Sequence, residues 1–160
     1  MIRPGGREDV RFLRDMLRHA YYWRASSYDA PLEPTVQRYV NGWGRRGDAA
    51  VIAIEGRSPV GAAWYRLFPA GAPGYGFVDE QTPELSIAVV PSRRGRGYGD
   101  ELLHGLFERA RKDGFERLSL SVEPENPALH LYERLGFRRV GEQGGSLTMV
   151  AELGSTENST

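Results

Sequence analysis

The sequence predicts an α/β fold, a mixed sheet flanked by helices, and three stretches carry that prediction. The first is a strand, a glycine loop and a helix in immediate succession between Glu84 and Arg111. The second is a pair of apolar runs at 49–54 and 60–68 joined by Glu55-Gly56-Arg57-Ser58-Pro59, the pattern of an antiparallel hairpin. The third is a strand, a short helix and a closing strand pair between Arg117 and Leu153. With 160 residues, 40% of them apolar and 26% charged, the composition is that of an ordinary globular chain. We read one domain over 1–153 and a small, polar tail at 154–160 that frays.

Met1-Ile2-Arg3 reads as a short first strand, and Pro4 to Arg7 as a turn. Val10, Leu13, Met16, Leu17 and Ala20 recur at helical spacing and mark an amphipathic helix. Tyr21, Tyr22, Trp23 and Tyr28 crowd its far end, either packing over the sheet edge or lining an acceptor pocket. Pro34 suits a first helical turn. Val36, Tyr39, Val40 and Trp43 give that second helix an apolar face, and Gly44 or Gly47 ends it. After the hairpin, Pro69 to Pro83 is a long loop rich in Gly and Pro. A loop of this length inside a compact domain is usually functional or disordered, and we expect it to face substrate.

Leu85 to Val90 is a short apolar run, a buried strand that Pro91 ends. Leu102, Leu103, Leu106, Phe107 and Ala110 then share one helical face, and Gly114 supplies the stop. Leu118, Leu120 and Val122 alternate with Arg117, Ser119 and Ser121, the pattern of a half-buried strand. Asn126-Pro127 reads as an N-cap followed by proline at the first helical position. Ala128, Leu129, Leu131, Tyr132 and Leu135 build a short helix closed by Gly136, and 138–142 with 147–153 form the last strand pair around Gly144-Gly145.

The chemistry is concentrated in Arg94-Gly95-Arg96-Gly97-Tyr98-Gly99. The first backbone N–H groups of a helix have no intrahelical partner, and the helix dipole favours negative charge there. Glycines let the backbone approach a phosphate and adopt positive φ, and Arg93, Arg94 and Arg96 add charged donors. A phosphate or pyrophosphate ligand follows. A Walker A loop requires Lys-Ser/Thr after the last glycine, where this chain has Asp100. A dinucleotide fingerprint requires G-x-G-x-x-G, and the loop has G-x-G-x-G. The one literal G-x-G-x-x-G, Gly42 to Gly47, follows a helical pattern and precedes a strand, the reverse of the required order.

The run Val89-x-Pro91-x-x-Arg94-Gly95-x-Gly97-x-Gly99-x-x-Leu102-Leu103 resembles the acetyl-CoA signature of the GNAT superfamily of N-acetyltransferases. A second run, Asn126-Pro127-Ala128-x-x-x-Tyr132-x-x-x-Gly136-Phe137, resembles the segment that follows the cofactor-side strand in that family. The element order matches as well, so the resemblance covers nearly the whole chain. It implies a mostly antiparallel, twisted sheet of six to seven strands with about four helices. It implies two neighbouring strands, the second at Arg117–Val122, that part to admit the cofactor. It also implies direct transfer of an acetyl group from acetyl-CoA to a primary amine in a ternary complex, without a metal. In those terms the loop Arg94, Gly95, Arg96, Gly97, Tyr98 and Gly99 holds the pyrophosphate. Backbone groups of Ile87, Ala88 and Val89 hold the pantetheine arm and suit a developing oxyanion. Tyr132 matches the family's tyrosine near the cofactor sulfur, a general acid for the leaving thiolate, and Asn126 caps its helix and contacts the pantetheine arm. Glu84 is the first candidate for general base, with Asp79 and Glu80 behind it.

Other classes recede. Lys plus Arg and Asp plus Glu number 21 each, so no broad nucleic-acid surface is expected. There is no cysteine, which removes disulfides and thiolate catalysis. His19, His104 and His130 have no metal-ligand spacing. No apolar run approaches a membrane span and no signal-peptide core is read, so we expect a cytoplasmic protein with no membrane partner. Its partners are acetyl-CoA and a small-molecule or peptide amine, and the resemblance admits a homodimer. The rivals are a non-catalytic acyl-CoA-binding module, an unrelated nucleotide-binding enzyme, and a transferase for a longer acyl group or an oxygen acceptor. The residues leave the acceptor open.

Overall fold

The computed structural model describes residues 1–21 and 32–154. Their elements run β1 (Ile2–Pro4), α1 (Val10–Tyr21), α2 (Pro34–Gln37), β2 (Ala49–Glu55), β3 (Ser58–Arg66) and β4 (Glu84–Val89), then α3 (Tyr98–Lys112), β5 (Arg117–Val122), α4 (Ala128–Arg134), β6 (Arg138–Gln143) and β7 (Ser146–Glu152). Short 3-10 turns stand at Arg7–Asp9 and Pro91–Arg93. The strands form a seven-stranded sheet in the order β1-β2-β3-β4-β5-β7-β6. The β1–β2, β2–β3, β5–β7 and β6–β7 pairs are antiparallel, and β4–β5 is parallel. Seven strands and four α-helices among the described residues, mixed but mostly antiparallel, match the fold expected from the sequence. No described helix is long and apolar enough to cross a membrane. The chain divides into two compact units, Met1–Tyr65 with Ser86–Leu106, and Arg66–Leu85 with Phe107–Thr160.

In the first unit the middle of the α1 apolar stripe is fully inside, with Leu13 and Leu17 at 0% exposure, while Val10 and Ala20 at its ends are half-buried. Leu102, Leu103 and Leu106 on α3 are equally buried. The helix seats where the opposing surface is thin. A Cβ built on Gly105 would lie 3.7 Å from Ile2, and one on Gly61 would lie 3.2 Å from Leu102. The β2–β3 turn is tighter than the sequence suggested. Glu55 pairs with Ser58 and Ile54 with Pro59, so only Gly56 and Arg57 lie between the strands. At β1, Arg3 makes a two-pronged ion pair with Asp9, at 2.9 and 2.7 Å, and Asp9 also accepts from the Gly6 N–H.

The second helix is a correction. It was expected to run from Pro34 to about Trp43, and the α-helical part stops at Gln37. Three of the four predicted apolar positions are nevertheless buried, with Val36 at 3%, Tyr39 at 1% and Val40 at 0% exposure, and Trp43 is half-buried. The Tyr39 carbonyl, which a continuing helix would hold in its own ladder, accepts a hydrogen bond from Trp64 Nε1 at 3.0 Å. Tertiary satisfaction of a buried carbonyl thus overrides local helical pattern. Of the aromatics at the end of α1, Tyr21 packs on Tyr39 with ring centroids 5.2 Å apart. Tyr22, Trp23 and Tyr28 lie outside the described residues.

In the second unit β5 is the centre. It pairs with β7 along its whole length, Arg117↔Glu152 through Val122↔Leu147, and with β4 at Glu84↔Ser119. The alternation on β5 predicted one wet face, and the structure buries that face at its middle, with Arg117 and Ser121 half-buried on either side. Ser119 is 0% exposed. The cover is the loop from Pro69 to Pro83, whose Asp79 bonds Arg117 at 2.7 Å. A Cβ on Gly76 would lie 2.6 Å from the Leu120 carbonyl carbon, so glycine permits the loop to touch the strand's backbone. At the end of α3, the Phe115 N–H returns to the Ala110 carbonyl at 2.9 Å, the expected stop at Gly114. The N-cap position of α4 falls on Pro127 and not on Asn126 as expected, and Asn126 Oδ1 accepts the Ala128 N–H at 3.0 Å from one residue before it.

Candidate active site

The first unit carries the anion loop. β4 ends at Val89, Pro91–Arg93 makes a single 3-10 turn, and α3 begins at Tyr98. Gly95 and Gly97 take positive φ, +78° and +87°. A side chain would be strained at both. A Cβ at either would meet nothing within 4 Å, so the turn presents open backbone in front of the helix start. Open backbone at a helix start is where an anion is favoured.

The arginines around the turn are not equivalent. Arg94 is exposed and its Nε donates to the Val89 carbonyl at 3.1 Å. Arg93 Nε donates to Glu55 Oε2 at 2.7 Å, and Arg96 NH1 lies 3.8 Å from Glu55 Oε1. The Tyr98 hydroxyl donates to the same Glu55 Oε2 at 3.0 Å. Tyr98 and then the two arginines hold the Glu55 carboxyl below its ordinary range, and Glu55 in turn pushes the Tyr98 phenol up. Glu55 was not among the residues expected from the sequence. It lies 38 residues from Arg93 and 43 from Tyr98, at a hairpin turn where an acid reads as a solvated turn residue. His19, near the end of α1, is held below its ordinary value by burial first and by the charge of Arg94 second. Ile87 and Val89 are half-buried and Ala88 is buried.

The second unit carries the candidate acid and base. Tyr132 is 7% exposed, and its ring meets Phe137 edge-on at 5.8 Å between centroids. Burial pushes its phenol well above the usual tyrosine range. The candidate bases separate clearly. Glu84 is 1% exposed, not the solvated strand-end acid that its position alone would suggest, and it stands opposite Ser119 in the parallel register. Parallel partners project on one face, so the carboxyl and the hydroxyl are neighbours there. The Ser119 hydroxyl is buried and finds no hydrogen-bond partner among the described residues. Asp79 is spoken for: burial raises its carboxyl, but the Thr82 hydroxyl, the Gln81 N–H and Arg117 outweigh that and hold it low. Glu80 accepts the Ala70 N–H at 2.7 Å and closes the loop on itself. Asn126 spends its side-chain oxygen on the α4 cap. His104 is exposed, with Nδ1 2.8 Å from the Asp100 carbonyl.

Similar proteins fit this picture. A solved ribosomal-protein-alanine N-acetyltransferase from Brucella melitensis superposes with a TM-score of 0.71 at 25% identity, covering 95% of this chain and 99% of that one. A putative acetyltransferase from Salmonella typhimurium, solved with its cofactor acetyl-CoA, has the same fold, with a TM-score of 0.71 at 23% identity over 97% of this chain and 94% of that one. In sequence, an L-methionine sulfoximine/L-methionine sulfone acetyltransferase from Pseudomonas paraeruginosa is 32% identical over 66% of this chain. A ribosomal protein bS18 alanine N-acetyltransferase from Haemophilus influenzae is 38% identical over 39% of this chain. The matched stretches span 60% and 42% of those two relatives' own lengths. A sequence profile of the Acetyltransferase (GNAT) family matches residues 11–137. With that match over most of its length, and a sheet and glycine turn of the family's kind, this chain belongs to the GNAT family of acetyltransferases.

Proposed function

We propose that this protein transfers an acetyl group from acetyl-CoA to the primary amine of an amino acid or of a peptide N-terminus. The observation that carries the reading is the open turn at Gly95 and Gly97, set at the N-terminus of α3 directly after β4. Arg94, Gly95, Arg96, Gly97, Tyr98 and Gly99 hold the pyrophosphate there with backbone donors and charge. Backbone groups of Ile87, Ala88 and Val89 hold the pantetheine arm, and Asn126 adds to that grip. Acetyl-CoA supplies the activated thioester. The acceptor class follows the relatives, whose names give amino acids and a ribosomal protein alanine as substrates.

The chain's own residues must move two protons. An amine attacks the thioester carbon only when neutral. At pH 7 that costs roughly 4 to 5 kcal/mol for a lysine-like amine, and about 1 kcal/mol for a peptide α-amine. Glu84 is the base that takes the amine's proton as the new C–N bond forms. Its burial on one face with Ser119 favours that role, and the engagement of Asp79 and Glu80 in the loop favours it over theirs. As the C–S bond breaks, Tyr132 donates to the leaving thiolate. Its phenol is protonated at neutral pH and so carries the proton this step needs.

The test is free-thiol release from acetyl-CoA against a panel of amino acids, methionine sulfone and alanine-ended peptides included, with Tyr132→Phe beside the wild type. We expect amine-dependent release, lowered about 100-fold in kcat by Tyr132→Phe. Release without dependence on Tyr132 removes the proposed acid. Acetyl-CoA binding with no release on any amine overturns catalysis in favour of a non-catalytic acyl-CoA-binding module.

A further inference from the structure

We infer that Glu55 is a positioning residue for the anion turn, a single carboxylate on the β2–β3 hairpin that fixes the rim of the cofactor's phosphate site before the cofactor arrives. The inference rests on the acetyl-CoA reading above and goes beyond it, because Glu55 lies outside the glycine signature and has no local sequence mark.

The geometry gives one carboxylate three anchors. Arg93 stands in the 3-10 turn before the glycines, Arg96 between them, and Tyr98 at the first position of α3. Glu55 reaches all three, at 2.7 Å to Arg93 Nε, 3.0 Å to the Tyr98 hydroxyl and 3.8 Å to Arg96 NH1. At the glycines themselves no side chain packs: Gly95 and Gly97 have φ of +78° and +87° and no neighbour near their Cβ positions. Glycine backbone is entropically loose, and an unanchored turn would have to be ordered at the moment of binding. Tying its beginning and its end to a strand, with Arg96 drawn near by charge alone, removes that cost in advance.

A carboxylate beside a phosphate site could instead act as a competitor, holding arginines the phosphate needs. The contacts argue against that. All three anchors are side chains, and none is a backbone N–H of Gly95 to Gly99, the donors a phosphate uses at a helix start. Arg93 gives Glu55 its Nε edge, while its NH1 faces Ser92, with the Ser92 hydroxyl at 3.3 Å. Arg96 at 3.8 Å is held loosely enough to turn toward an anion, and it is 55% exposed. Arg94 is outside the clamp altogether, bonded to the Val89 carbonyl. The clamp therefore fixes shape and leaves donors free.

The experiment measures acetyl-CoA affinity by calorimetry and the KM–kcat split for wild type, Glu55→Ala, Glu55→Gln and Tyr98→Phe. We expect Glu55→Ala to raise the Kd and KM for acetyl-CoA about 10-fold, with kcat at saturating acetyl-CoA within about twofold of wild type. Glu55→Gln keeps an acceptor for Arg93 and Tyr98 and should recover part of the loss. Tyr98→Phe removes one anchor only and should cost about threefold in Kd, which keeps the inference testable if Glu55→Ala folds poorly. A purely structural defect would instead lower the melting temperature and kcat together. Wild-type Kd in all three variants overturns the inference, and tighter binding in Glu55→Gln identifies the competitor. Failure of the wild type to bind acetyl-CoA at all would overturn the cofactor reading itself, a result distinct from either.

Discussion

Tyr132 shows how burial sets protonation. Tyr132 has only burial acting on its phenol, which is pushed up from 10, so it stays protonated through neutral pH and past 10. Any fall in rate with rising pH below about 10 must then come from another group. Glu84, the base we propose, has a different signature. Glu84→Gln keeps the shape and removes the base. On that proposal, an amine acceptor of the wild type loses its proton to Glu84. For the variant, only the fraction of amine already neutral in solution reacts. We expect kcat/KM at pH 7 to fall about 100-fold. We also expect it to climb about tenfold per pH unit until the amine's own pKa, near 8 for a peptide N-terminus. A pH–rate profile with wild-type slope would remove Glu84 as base and leave it a buried partner of β5.

At the level of elements, the loop from Pro69 to Pro83 is built as part of the second unit rather than draped over it. Its Glu80 closes on the Ala70 N–H, its Asp79 grips Arg117, and Gly76 rests on the Leu120–Ser121 backbone. In Gly76→Ala the new methyl would sit 2.6 Å from Leu120 C and 2.8 Å from Ser121 N, atoms that cannot rotate away. Overpacking of this kind costs about 1 to 3 kcal/mol, or a melting temperature lower by roughly 2 to 12 °C in a chain of this size. If the loop faces the acceptor, the variant also raises the acceptor's KM more than that of acetyl-CoA; equal rises would assign the loop to structure alone. The sequence marked this loop by its length and its glycines and prolines, but not its contacts. The same boundary runs through the rest of the molecule. The strand, glycine turn and helix around Gly95 were legible because each obeys local rules of burial, chirality and helix ends. The shortened α2 was not, because a Trp64 side chain 25 residues from Tyr39 takes the carbonyl that decides it. Nor was the burial of Ser119 on the polar face of β5 legible, since alternation on a strand does not record what lies above it.

For the whole molecule, stability at low pH depends on a few carboxylates held below their ordinary values in different places. Asp9 is one, lowered first by its hydrogen bonds from Arg3, which outweigh the opposing effect of burial. Asp79 is lowered as well, its hydrogen bonds and Arg117 overcoming burial. Each such group binds its proton more readily in the unfolded chain than in the folded one. Its stabilising contribution is therefore fully present above the unfolded pKa, near 3.8, and is lost as pH falls through the folded value. We expect urea midpoints to change little from these groups between pH 5 and 7 and to drop steadily below about pH 4. Every proton taken up on unfolding adds about 1.4 kcal/mol per pH unit to the slope. Asp9→Asn tests the assignment. It leaves Arg3 without its charged partner at every pH, so the variant is less stable at neutral pH. It also has one titrating group fewer, so its stability falls less steeply in acid, and the two curves converge at low pH. Parallel curves would mean that Asp9 titrates alike in both states and that the tie between β1 and the turn before α1 is only packing.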